Sequence, residues 1–532
     1  MVEPPMMERP LLLGGFMATG KSTVGKLVAE RCGRAYVDLD GEIERSTGKT
    51  VAALFAERGE TAFRTLERQE LQRVLDAGGP VVVSLGGGAL VDRGARLDAL
   101  ERGVVVTLEA SADEIVRRAG DTASRPLLQG GDARARVDEL LAVRKLGYAE
   151  SHARITTTGR SPDDVARDAI AVWQRDPIAV AAGADTYTVE VGTDIAVERL
   201  PSLLRGASLG LLVTDRTVLG LHGDGVENAM EQSGVRVATV VLDPGEEHKN
   251  TAALERIWSA ALVAGADRKS LFVALGGGVV SDVAGFGAAT WMRGVSWLCL
   301  PTTLLSMVDA SVGGKTAIDL KTAKNAVGAF WQPSSVLCDV RHLTTEPGPG
   351  FVSGLAEVVK TALIGDAPLL DFVDTHAAAI LAKDLDVVSE VVKRSVRVKA
   401  RVVSLDPREE NIRAWLNLGH TVGHAIEAYG GYGKLRHGEA ISLGLVAALR
   451  IGERLGITEQ ALSERTIATL HKLGLPVDLA AQPIARAVDL IGHDKKRAGS
   501  RLKFIAARSA GKVEIVDLDV QDLRSRVLEL VG

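Results

Sequence analysis

The sequence predicts an α/β protein in two halves, a parallel sheet in the first and an α/β subdomain followed by a mostly α-helical one in the second. Three observations predict this. Short apolar runs alternate with stretches of helical periodicity. The word LGGG follows an apolar run twice, at residues 85–88 and 275–278. Runs of strand length become scarce after about residue 341, and 532 residues suffice for two or three domains.

In the first half, four apolar runs bounded by glycine or charged residues predict buried strands: LLLGGF, AYVDLD, VVVSLGGG and GVVVTLEA. Between them, KSTVGKLVAERCG and TAFRTLERQELQRVLDAG have helical periodicity, and each ends at a glycine. Strands that alternate with helices favour a parallel sheet covered on both faces. We therefore expect a first domain over residues 9–173.

A linker is predicted over residues 174–186, where QRDPIAVAAGADT loses periodicity. A new strand series then predicts a Rossmann-like subdomain over 187–340: YTVEVG, LGLLVTD, VRVATVVLD, SLFVALGGG and VSWLCLP. Long stretches such as LDVVSEVVKRSVRVKARVVSLD predict a helical subdomain over 341–532. No fixed period links the halves, so the doubled LGGG does not indicate duplication.

Composition favours a soluble, cytoplasmic protein. Hydrophobic residues make up 46% and charged residues 25%, as in soluble globular proteins. The net charge of −5 gives no indication of nucleic-acid binding. Cys32, Cys299 and Cys338 form no CxxC pair, which fits a reducing compartment. We find no apolar stretch of membrane-spanning length and no signal-peptide pattern at the start.

Residues 15–22 read GFMATGKS, the full GxxxxGK[ST] pattern between a predicted strand and a predicted helix. Glycines let backbone N–H groups surround phosphate oxygens, and the helix N-terminus favours the negative charge. Lys21 supplies a positive charge and Ser22 a hydroxyl ligand for magnesium. The pattern predicts a nucleotide site.

The run VDLD places Asp38 and Asp40 at the end of the next strand, on the same face of it. Two carboxylates there could position magnesium and accept a proton from a substrate hydroxyl. Taken alone, such a pair is more often a helix cap or a solvated turn.

With these motifs the first half resembles shikimate kinase, over roughly residues 11–172, which implies a fold like that of nucleoside monophosphate kinases. The ordered motifs are the phosphate loop, the DxD pair, Phe63-Arg64, the glycines at 86–88, RPLL at 125–128, and Arg144 with Tyr148. Gluconate-type and nucleoside-monophosphate kinases share the fold and the loop but do not explain the whole set. A catalytically silent sensor domain is a further alternative. Ala18 departs from the family, which usually has glycine there.

The resemblance implies a role for each matching residue. ATP with magnesium would be held by Gly15, Gly20, Lys21, Ser22, Thr23, Asp38, Arg118 and Pro162. Shikimate would be bound by Asp40, Arg64, Gly87, Gly88 and Arg144. Asp40 would act as the base, and Arg125 would stabilise charge on the transferring phosphoryl group.

In the second half, LGGGVVSDVAGF lacks the GxGxxG dinucleotide fingerprint. A strand followed by three glycines could still admit a pyrophosphate closely, with Asp282 in the next helical turn. The run DPGEEHK adds carboxylates and a lysine where an earlier strand ends. On spacing alone, the indication of a dinucleotide is weak.

The indication of a metal is stronger. His420 and His424 lie four residues apart, on one face of a predicted helix, and His437 follows in LRHGEA. Glu357 and Lys360 lie three apart on another helix. Two histidines and a carboxylate with an open position are typical of catalytic zinc. Spacing alone predicts His420 and His424 as the ligands.

The second half resembles 3-dehydroquinate synthase over roughly residues 187–517, through GGGVVSDVAGFGAATWMRG, PTTLLSMVDASVGGKTAIDL, KNAVGAFWQP, SGLAEVVK, LNLGHTVGHAIE and DKK. The resemblance assigns zinc, or cobalt, to Glu357, His420 and His437, and places His424 beside the metal. Gly348-Pro349-Gly350 stands where we expect an arginine-bearing stretch. The resemblance also implies a homodimer through this half.

The same resemblance implies two further sets of residues. NAD would be contacted by Asp215, Glu246, Lys249, Gly277, Gly278, Asp282, Thr302, Thr303, Asp309, Lys315 and Lys324. The anionic substrate would be bound or converted by Asp309, Lys315, Lys324, Asn325, Lys360, Lys399, Arg413, Asn417, His424, one of Lys495 and Lys496, and Arg293 from a neighbouring subunit. The two halves would then catalyse non-adjacent steps toward the aromatic amino acids. A metal-dependent polyol dehydrogenase or another sugar-phosphate cyclase are the alternatives for the second half.

Overall fold

The computed structural model describes residues 7–120, 132–321, 323–430, 435–491 and 501–531. Contacts divide the chain into two compact units, Met1–Glu190 and Val191–Gly532. Within the described ranges, no helix combines the length and the hydrophobicity needed to cross a bilayer.

The first sheet is parallel throughout, as predicted, and has the strand order β2-β3-β1-β4-β5. Its strands are β1 (Leu11–Gly15), β2 (Tyr36–Asp38), β3 (Val82–Ser84), β4 (Val104–Glu109) and β5 (Ala153–Thr156). Its helices are α1 (Lys21–Cys32), α2 (Leu39–Thr47), α3 (Val51–Ala77), α4 (Arg93–Arg102), α5 (Ala112–Ala119), α6 (Ala133–Ala149) and α7 (Pro162–Arg175).

The central strand explains why both faces of this sheet are covered. All five residues of β1 are buried. Leu11 and Leu13 pack with residues of α1 and α7, whereas Leu12 packs with residues of α3 and α4. Because side chains alternate along a strand, an all-apolar run buries both faces.

The second sheet has seven strands in the order β6-β7-β14-β11-β10-β8-β9. They are β6 (Ile178–Val180), β7 (Tyr187–Gly192), β8 (Leu209–Asp215), β9 (Arg236–Leu242), β10 (Leu271–Gly276), β11 (Ser296–Pro301) and β14 (Ser335–Asp339). A separate antiparallel hairpin holds β12 (Lys315–Leu320) and β13 (Ala323–Phe330). The helices of this region are α8 (Ile195–Leu203), α9 (Arg216–Val218), α10 (Asp224–Glu231), α11 (Thr251–Ala264) and α12 (Gly278–Thr290).

The remainder of the chain is mostly helical, as predicted. Its helices are α13 (Gly348–Gly365), α14 (Ala367–Thr375), α15 (Ala377–Leu381), α16 (Leu385–Leu405), α17 (His420–Gly430), α18 (His437–Arg454), α19 (Gln460–Lys472), α20 (Ile484–Ala487) and α21 (Val520–Leu528). An antiparallel hairpin of β15 (Arg501–Ser509) and β16 (Lys512–Asp519) lies before the last helix.

Helix α13 is the centre of this helical part, because nearly all of its residues from Phe351 onward are buried. Helix α18 approaches it closely. A Cβ atom added to Gly438 would lie 1.8 Å from the carbonyl oxygen of Ser353 on α13. A Cβ atom on Gly444 would lie 2.0 Å from the carbonyl oxygen of Gly419, just before α17. Glycine therefore permits the backbone contacts that bring α13, α17 and α18 together.

One local prediction is wrong. Asp40 does not extend strand β2, because α2 begins at Leu39 and places Asp40 in its first turn. Asp38 accepts a hydrogen bond from the backbone N–H of Gly41 at 3.4 Å and so caps this helix. Residues 174–186 contain the end of α7, strand β6 and a 3₁₀ turn at Gly183–Asp185, and their role as a linker stays a prediction.

Candidate active sites

The phosphate loop joins β1 to α1. Gly15 has φ +128°, and a Cβ atom there would lie 2.3 Å from the carbonyl oxygen of Leu108. Gly20, at φ +99°, directly precedes the first residue of α1. Lys21 donates to the carbonyl oxygens of Gly15 and Phe16 at 3.0 and 2.9 Å. A lysine folded over a loop at the N-terminus of a twelve-residue helix suits a phosphate group.

The unusual Ala18 adopts the left-handed conformation, with φ +61°. Glycine adopts this conformation more readily than alanine, so the departure from the family carries a conformational cost within the loop. The loop nevertheless closes, because Thr19 Oγ1 donates to the carbonyl oxygen of Phe16 at 2.8 Å.

Oxygen atoms suited to magnesium lie beside the loop. Ser22 Oγ lies 3.1 Å from Asp38 Oδ2, and the Tyr36 hydroxyl donates to the same carboxylate oxygen at 3.1 Å. Hydroxyl and carboxylate oxygens are the ligands that Mg²⁺ prefers, so this pair fits a magnesium site. Thr23 follows on α1 and is exposed.

The two residues predicted at the adenine lie elsewhere in the same unit. Arg118 donates to Oγ1 and the carbonyl oxygen of Thr157, both at 3.0 Å. Pro162 is the first residue of α7. The role of both residues at the adenine stays a prediction.

The predicted substrate residues converge on the glycines at 86–88. A Cβ atom on Gly88 would lie 2.2 Å from Cζ of Arg64, and one on Gly86 would lie 2.8 Å from Asp40 Oδ1. Arg144 donates from Nη1 to the carbonyl oxygen of Gly87 at 2.9 Å. Burial, together with the neighbouring Asp38 carboxylate, raises the pKa of Asp40. Two guanidinium groups and a carboxylate thus line one pocket.

Glu67 belongs to this pocket and was missed by the sequence reasoning. Its side chain is 2% exposed, and its Oε2 accepts from Arg64 Nη1 at 2.6 Å. Burial raises the pKa of Glu67, and Arg64 opposes that effect. The available signal was the i, i+3 spacing from Arg64 on α3, which places both side chains on one helix face.

In the second unit, the LGGG glycines form the turn between β10 and α12. Gly277 directly precedes α12, and the backbone N–H of Thr302 donates to the carbonyl oxygen of Gly276 at 3.0 Å. A Cβ atom on Gly277 would lie 3.3 Å from Thr303 Cγ2. The backbone of these glycines therefore faces Thr302 and Thr303. A helix N-terminus made of glycines leaves room for a pyrophosphate close to the backbone N–H groups.

Acidic and basic residues predicted at NAD lie near this turn. Lys249 donates to Asp282 Oδ2 at 2.5 Å and also contacts Asn325. Burial raises the pKa of Asp282 to about 6, and Lys249 opposes that effect. Asp215 lies at the end of β8, and its carboxylate accepts from the backbone N–H groups of residues 217 and 218 at 2.8 and 3.0 Å.

The lysines of the predicted substrate pocket are held by carboxylates. Lys324 lies 3.8 Å from Glu246 and 3.4 Å from Glu427. Lys399 forms an ion pair with Asp309 and donates to its carbonyl oxygen at 2.5 Å. Burial lowers the pKa of Lys399, and Asp309 opposes that effect.

The remaining predicted residues of the pocket are more scattered. Arg413 is buried and donates to the carbonyl oxygen of Gly313 at 3.2 Å. Lys315 forms an ion pair with Glu409, a carboxylate that the sequence reasoning missed. Asn417 ends a 3₁₀ turn, and Arg293 is exposed with φ +69°. Three predicted residues, Arg125, Lys495 and Lys496, lie outside the described residues.

The candidate metal centre lies where α13, α17 and α18 meet. Glu357 Oε1 lies 3.6 Å from His420 Nε2 and 3.5 Å from His437 Nε2. The potential ligand atoms of these three residues all lie within 4.8 Å of one another. His424 is not part of this group, and its ring centroid lies 5.0 Å from that of His420. Helical spacing correctly predicts that the two α17 histidines are neighbours, but packing of α13 and α18 decides which atoms converge.

The three residues fit a zinc ion. The side chain of Glu357 is 1% exposed and forms an ion pair with Lys360, yet neither carboxylate oxygen has a well-aligned hydrogen bond within the described ranges. Although burial favours the protonated form, Lys360 and the histidines hold the pKa of Glu357 well below its usual range. Burial and Lys360 lower the pKa of His420 to about 3, so its imidazole is neutral, as a metal ligand must be. Against the effect of burial, hydrogen bonds to Glu357 and Glu427 raise the pKa of His437 to about 10, so this ring releases a proton when a metal binds. Two imidazoles and one carboxylate are a common catalytic zinc set.

These two sites define a class for each unit. A phosphate loop beside a carboxylate and two arginines defines a P-loop phosphotransferase. A glycine turn beside a histidine–carboxylate cluster and buried lysines defines a nucleotide- and metal-dependent enzyme for anionic substrates.

Comparison with known proteins identifies both units. Residues 17–174 match the shikimate kinase family. Residues 239–353 match the N-terminal part of 3-dehydroquinate synthase, and residues 354–497 match its C-terminal part. The 3-dehydroquinate synthase of Geobacter sp. (strain M21) is 42% identical over 339 residues, which are 63% of this chain and 93% of that protein. The chain belongs to the 3-dehydroquinate synthase family and carries a shikimate kinase domain ahead of it.

Solved structures agree with the fold of the second unit. The 2-epi-5-epi-valiolone synthase of Streptomyces hygroscopicus subsp. jinggangensis 5008, solved with NAD⁺ and Zn²⁺, is 25% identical with a TM-score of 0.58, and the match covers 65% of this chain and 96% of that one. A 2-deoxy-scyllo-inosose synthase is 24% identical with a TM-score of 0.60, covering 66% and 99% respectively. The protein is thus a bifunctional enzyme of the shikimate pathway, with a kinase activity and a lyase activity.

Proposed function

We propose that the first unit phosphorylates shikimate through the pocket between the phosphate loop and the glycines at 86–88. Lys21 and the backbone of the loop bind the ATP phosphates, and Ser22 with Asp38 holds the magnesium ion, which neutralises phosphate charge. Arg64 and Arg144 bind the carboxylate of shikimate. Asp40 accepts the proton of the attacking hydroxyl, and its raised pKa brings this base nearer to the working pH.

In the second unit, the substrate 3-deoxy-D-arabino-heptulosonate 7-phosphate loses phosphate and becomes 3-dehydroquinate. Bound NAD would supply reversible hydride transfer at a ring hydroxyl, and bound zinc would supply a Lewis acid for the oxygen at that centre. Glu357, His420 and His437 would hold the metal. Lys360, Lys399 and Arg413 would bind the carboxylate and phosphate groups of the substrate, which buried cations suit.

The observation that carries this proposal is the meeting of Glu357, His420 and His437 next to buried lysines. Lys360 and Lys399 have side chains 2% and 8% exposed. Each ammonium is paired with a carboxylate, Lys360 with Glu357 and Lys399 with Asp309. A metal ion on Glu357 would share that carboxylate and leave positive charge in the pocket, which a negatively charged substrate balances. A neutral polyol offers no such charge, which favours the synthase over a polyol dehydrogenase.

The proposal also includes the cellular location and the oligomeric state. We propose that the enzyme works in the cytoplasm, which agrees with three free cysteines in the described part of the chain. We also propose a homodimer through the second unit, with Arg293 exposed and available to a neighbouring subunit. Size-exclusion chromatography with light scattering tests the dimer, because a monomer at all concentrations contradicts it.

The decisive experiment uses the purified, zinc-loaded chain with 3-deoxy-D-arabino-heptulosonate 7-phosphate and a trace of NAD, without ATP. Phosphate release and the absorbance of reduced nicotinamide are followed together. Phosphate far in excess of the added NAD, with no accumulating NADH, is the expected result. Stoichiometric NADH without phosphate would mean a dehydrogenase. A second sample with ATP and shikimate tests the kinase unit, and the absence of ADP would support a silent domain instead.

A further inference from the structure

We propose that Glu427 is a positioning residue of the synthase site, which fixes the ring of His437 for metal binding and holds Lys324 beside it. The inference rests on the proposed metal site of Glu357, His420 and His437. Glu427 is the last residue of the stretch LNLGHTVGHAIE, but the sequence gives it no role, because a glutamate on a helix is ordinarily a solvated surface residue.

The first step is its place on α17. Glu427 lies seven residues after His420 and three after His424, so the three side chains share one face of the helix. The side chain of Glu427 is only 14% exposed. A carboxylate on the face that carries the metal-site histidines is therefore partly shielded from water and available to a neighbouring ring.

The second step is the contact with His437. Glu427 Oε2 lies 3.3 Å from Nδ1 of His437, while Nε2 of the same ring lies 3.5 Å from Glu357 Oε1. The imidazole thus has one carboxylate at each nitrogen. An acceptor at Nδ1 keeps the proton on that nitrogen and leaves the lone pair of Nε2 for a metal, as carboxylate–histidine–zinc arrangements do.

The third step is the contact with Lys324. The other oxygen of Glu427 lies 3.4 Å from Nζ of Lys324 on strand β13, and Lys324 also lies 3.8 Å from Glu246. Glu427 consequently joins a metal ligand on α18 to a cation on the β12–β13 hairpin. Loss of its charge is expected to affect both the metal and the binding of an anionic substrate.

A competing role for Glu427 is direct metal binding together with His424 and His437, whose ligand atoms also lie within 4.8 Å of one another. The contacts favour positioning instead. Nδ1 of His437 faces Glu427, and the Lys324 ammonium lies beside the other carboxylate oxygen, where it repels a cation. Metal stoichiometry distinguishes the two roles.

The test compares the full-length wild type with Glu427→Ala, Glu427→Gln and Glu427→Asp. Zinc affinity is measured by competition with a chromophoric chelator, and Co²⁺-loaded samples give the visible absorption spectrum of the site. The matched control is Glu453→Gln. Glu453 is an ion-paired carboxylate near the C-terminal end of α18, whereas His437 is the first residue of that helix. His437→Ala reports whether the metal site itself is assigned correctly.

We expect Glu427→Ala to weaken zinc binding about 10–100-fold, the usual effect of losing such a partner, with a changed Co²⁺ spectrum and a raised KM for the heptulosonate phosphate. Glu427→Gln keeps an acceptor and should lie between Ala and wild type, and it carries the test if the alanine variant does not fold. Wild-type zinc affinity in both variants would overturn the inference. A second metal equivalent in the wild type that Glu427→Gln removes would also overturn it. If His437→Ala binds zinc normally, the proposed metal site falls as well.

Discussion

Gly438 directly follows the candidate ligand His437, and replacing it with alanine tests whether helix packing sets the geometry of the metal centre. The backbone N–H of Gly438 donates to Ser353 Oγ at 3.0 Å, and an added Cβ atom would lie 1.8 Å from the Ser353 carbonyl oxygen. Ser353 belongs to α13, the buried helix that also carries Glu357. The alanine methyl group therefore meets backbone, which cannot rotate away.

The size of the effect follows from these distances. Cβ atoms in real structures essentially never approach another heavy atom closer than 3.0 Å, so α18 must move from α13 by about 1.2 Å at this point. His437 moves with its neighbour, whereas Glu357 stays with α13. Displacements of about 1 Å at a catalytic group cost on the order of 100-fold in rate, and overpacking costs about 1–3 kcal/mol of unfolding free energy.

The assay measures phosphate release from the heptulosonate substrate, zinc affinity and shikimate phosphorylation on the same Gly438→Ala preparation. We expect the first two to fall by about 100-fold or more, while the kinase activity of the other unit stays unchanged. Gly225→Ala on α10 is the control, because a Cβ atom there has no atom within 4 Å. If Gly438→Ala keeps wild-type phosphate release and zinc affinity, backbone packing does not set the metal geometry and the reasoning is refuted.

Three further predictions concern the other predicted residues. Asp40→Asn should lower shikimate phosphorylation by about 100-fold or more, since the base is lost. In the wild type, Asp40 acts as a base only when it is ionised, and its pKa is raised. As the pH is lowered, the rate should therefore begin to fall at a higher pH than it would with an aspartate of ordinary pKa. A pH profile of kcat/KM that is flat on the acid side contradicts this. Gly88→Ala places a methyl group 2.2 Å from the Arg64 guanidinium carbon. The KM for shikimate should therefore rise more than kcat falls. An unchanged KM would argue against binding of the shikimate carboxylate by Arg64. Lys249→Met leaves the Asp282 carboxylate without its cation. NAD affinity, measured by fluorescence titration, should therefore fall, and the unfolding free energy, measured by urea unfolding, should drop by about 3 kcal/mol. A normal dissociation constant for NAD would contradict this prediction.

The sequence predicts the sheets and the phosphate loop well, because both depend on local patterns. Alternating apolar runs and helical stretches predict a parallel sheet containing β1 to β4, but not strand β5 or the order of the strands, which tertiary pairing decides. Glycines with φ near +100° are required where the loop turns. The same local logic fails at Asp40, since a capping side chain at Asp38 starts a helix one residue earlier than the strand pattern indicates.

The candidate sites depend on tertiary packing, which spacing cannot give. Helical periodicity puts His420 and His424 side by side, but the atoms nearest to Glu357 include those of His437, from a different helix. Glu67 and Glu427 were missed for the same reason. Glu67 lies three residues after Arg64, a spacing typical of an exposed ion pair, whereas the partners of Glu427, Lys324 and His437, come from other elements. Only the packing of neighbouring elements buries each carboxylate.

The division of the candidate metal ligands among α13, α17 and α18 affects the order in which the two activities arise during synthesis. Unit Met1–Glu190 contains the described kinase pocket and leaves the ribosome first, so it can fold while the rest is being translated. A nascent chain that ends before His437 holds only two of the three ligands, and the α13 contact made by Gly438 is still missing. We therefore expect shikimate phosphorylation to become available on a growing chain before zinc can be retained.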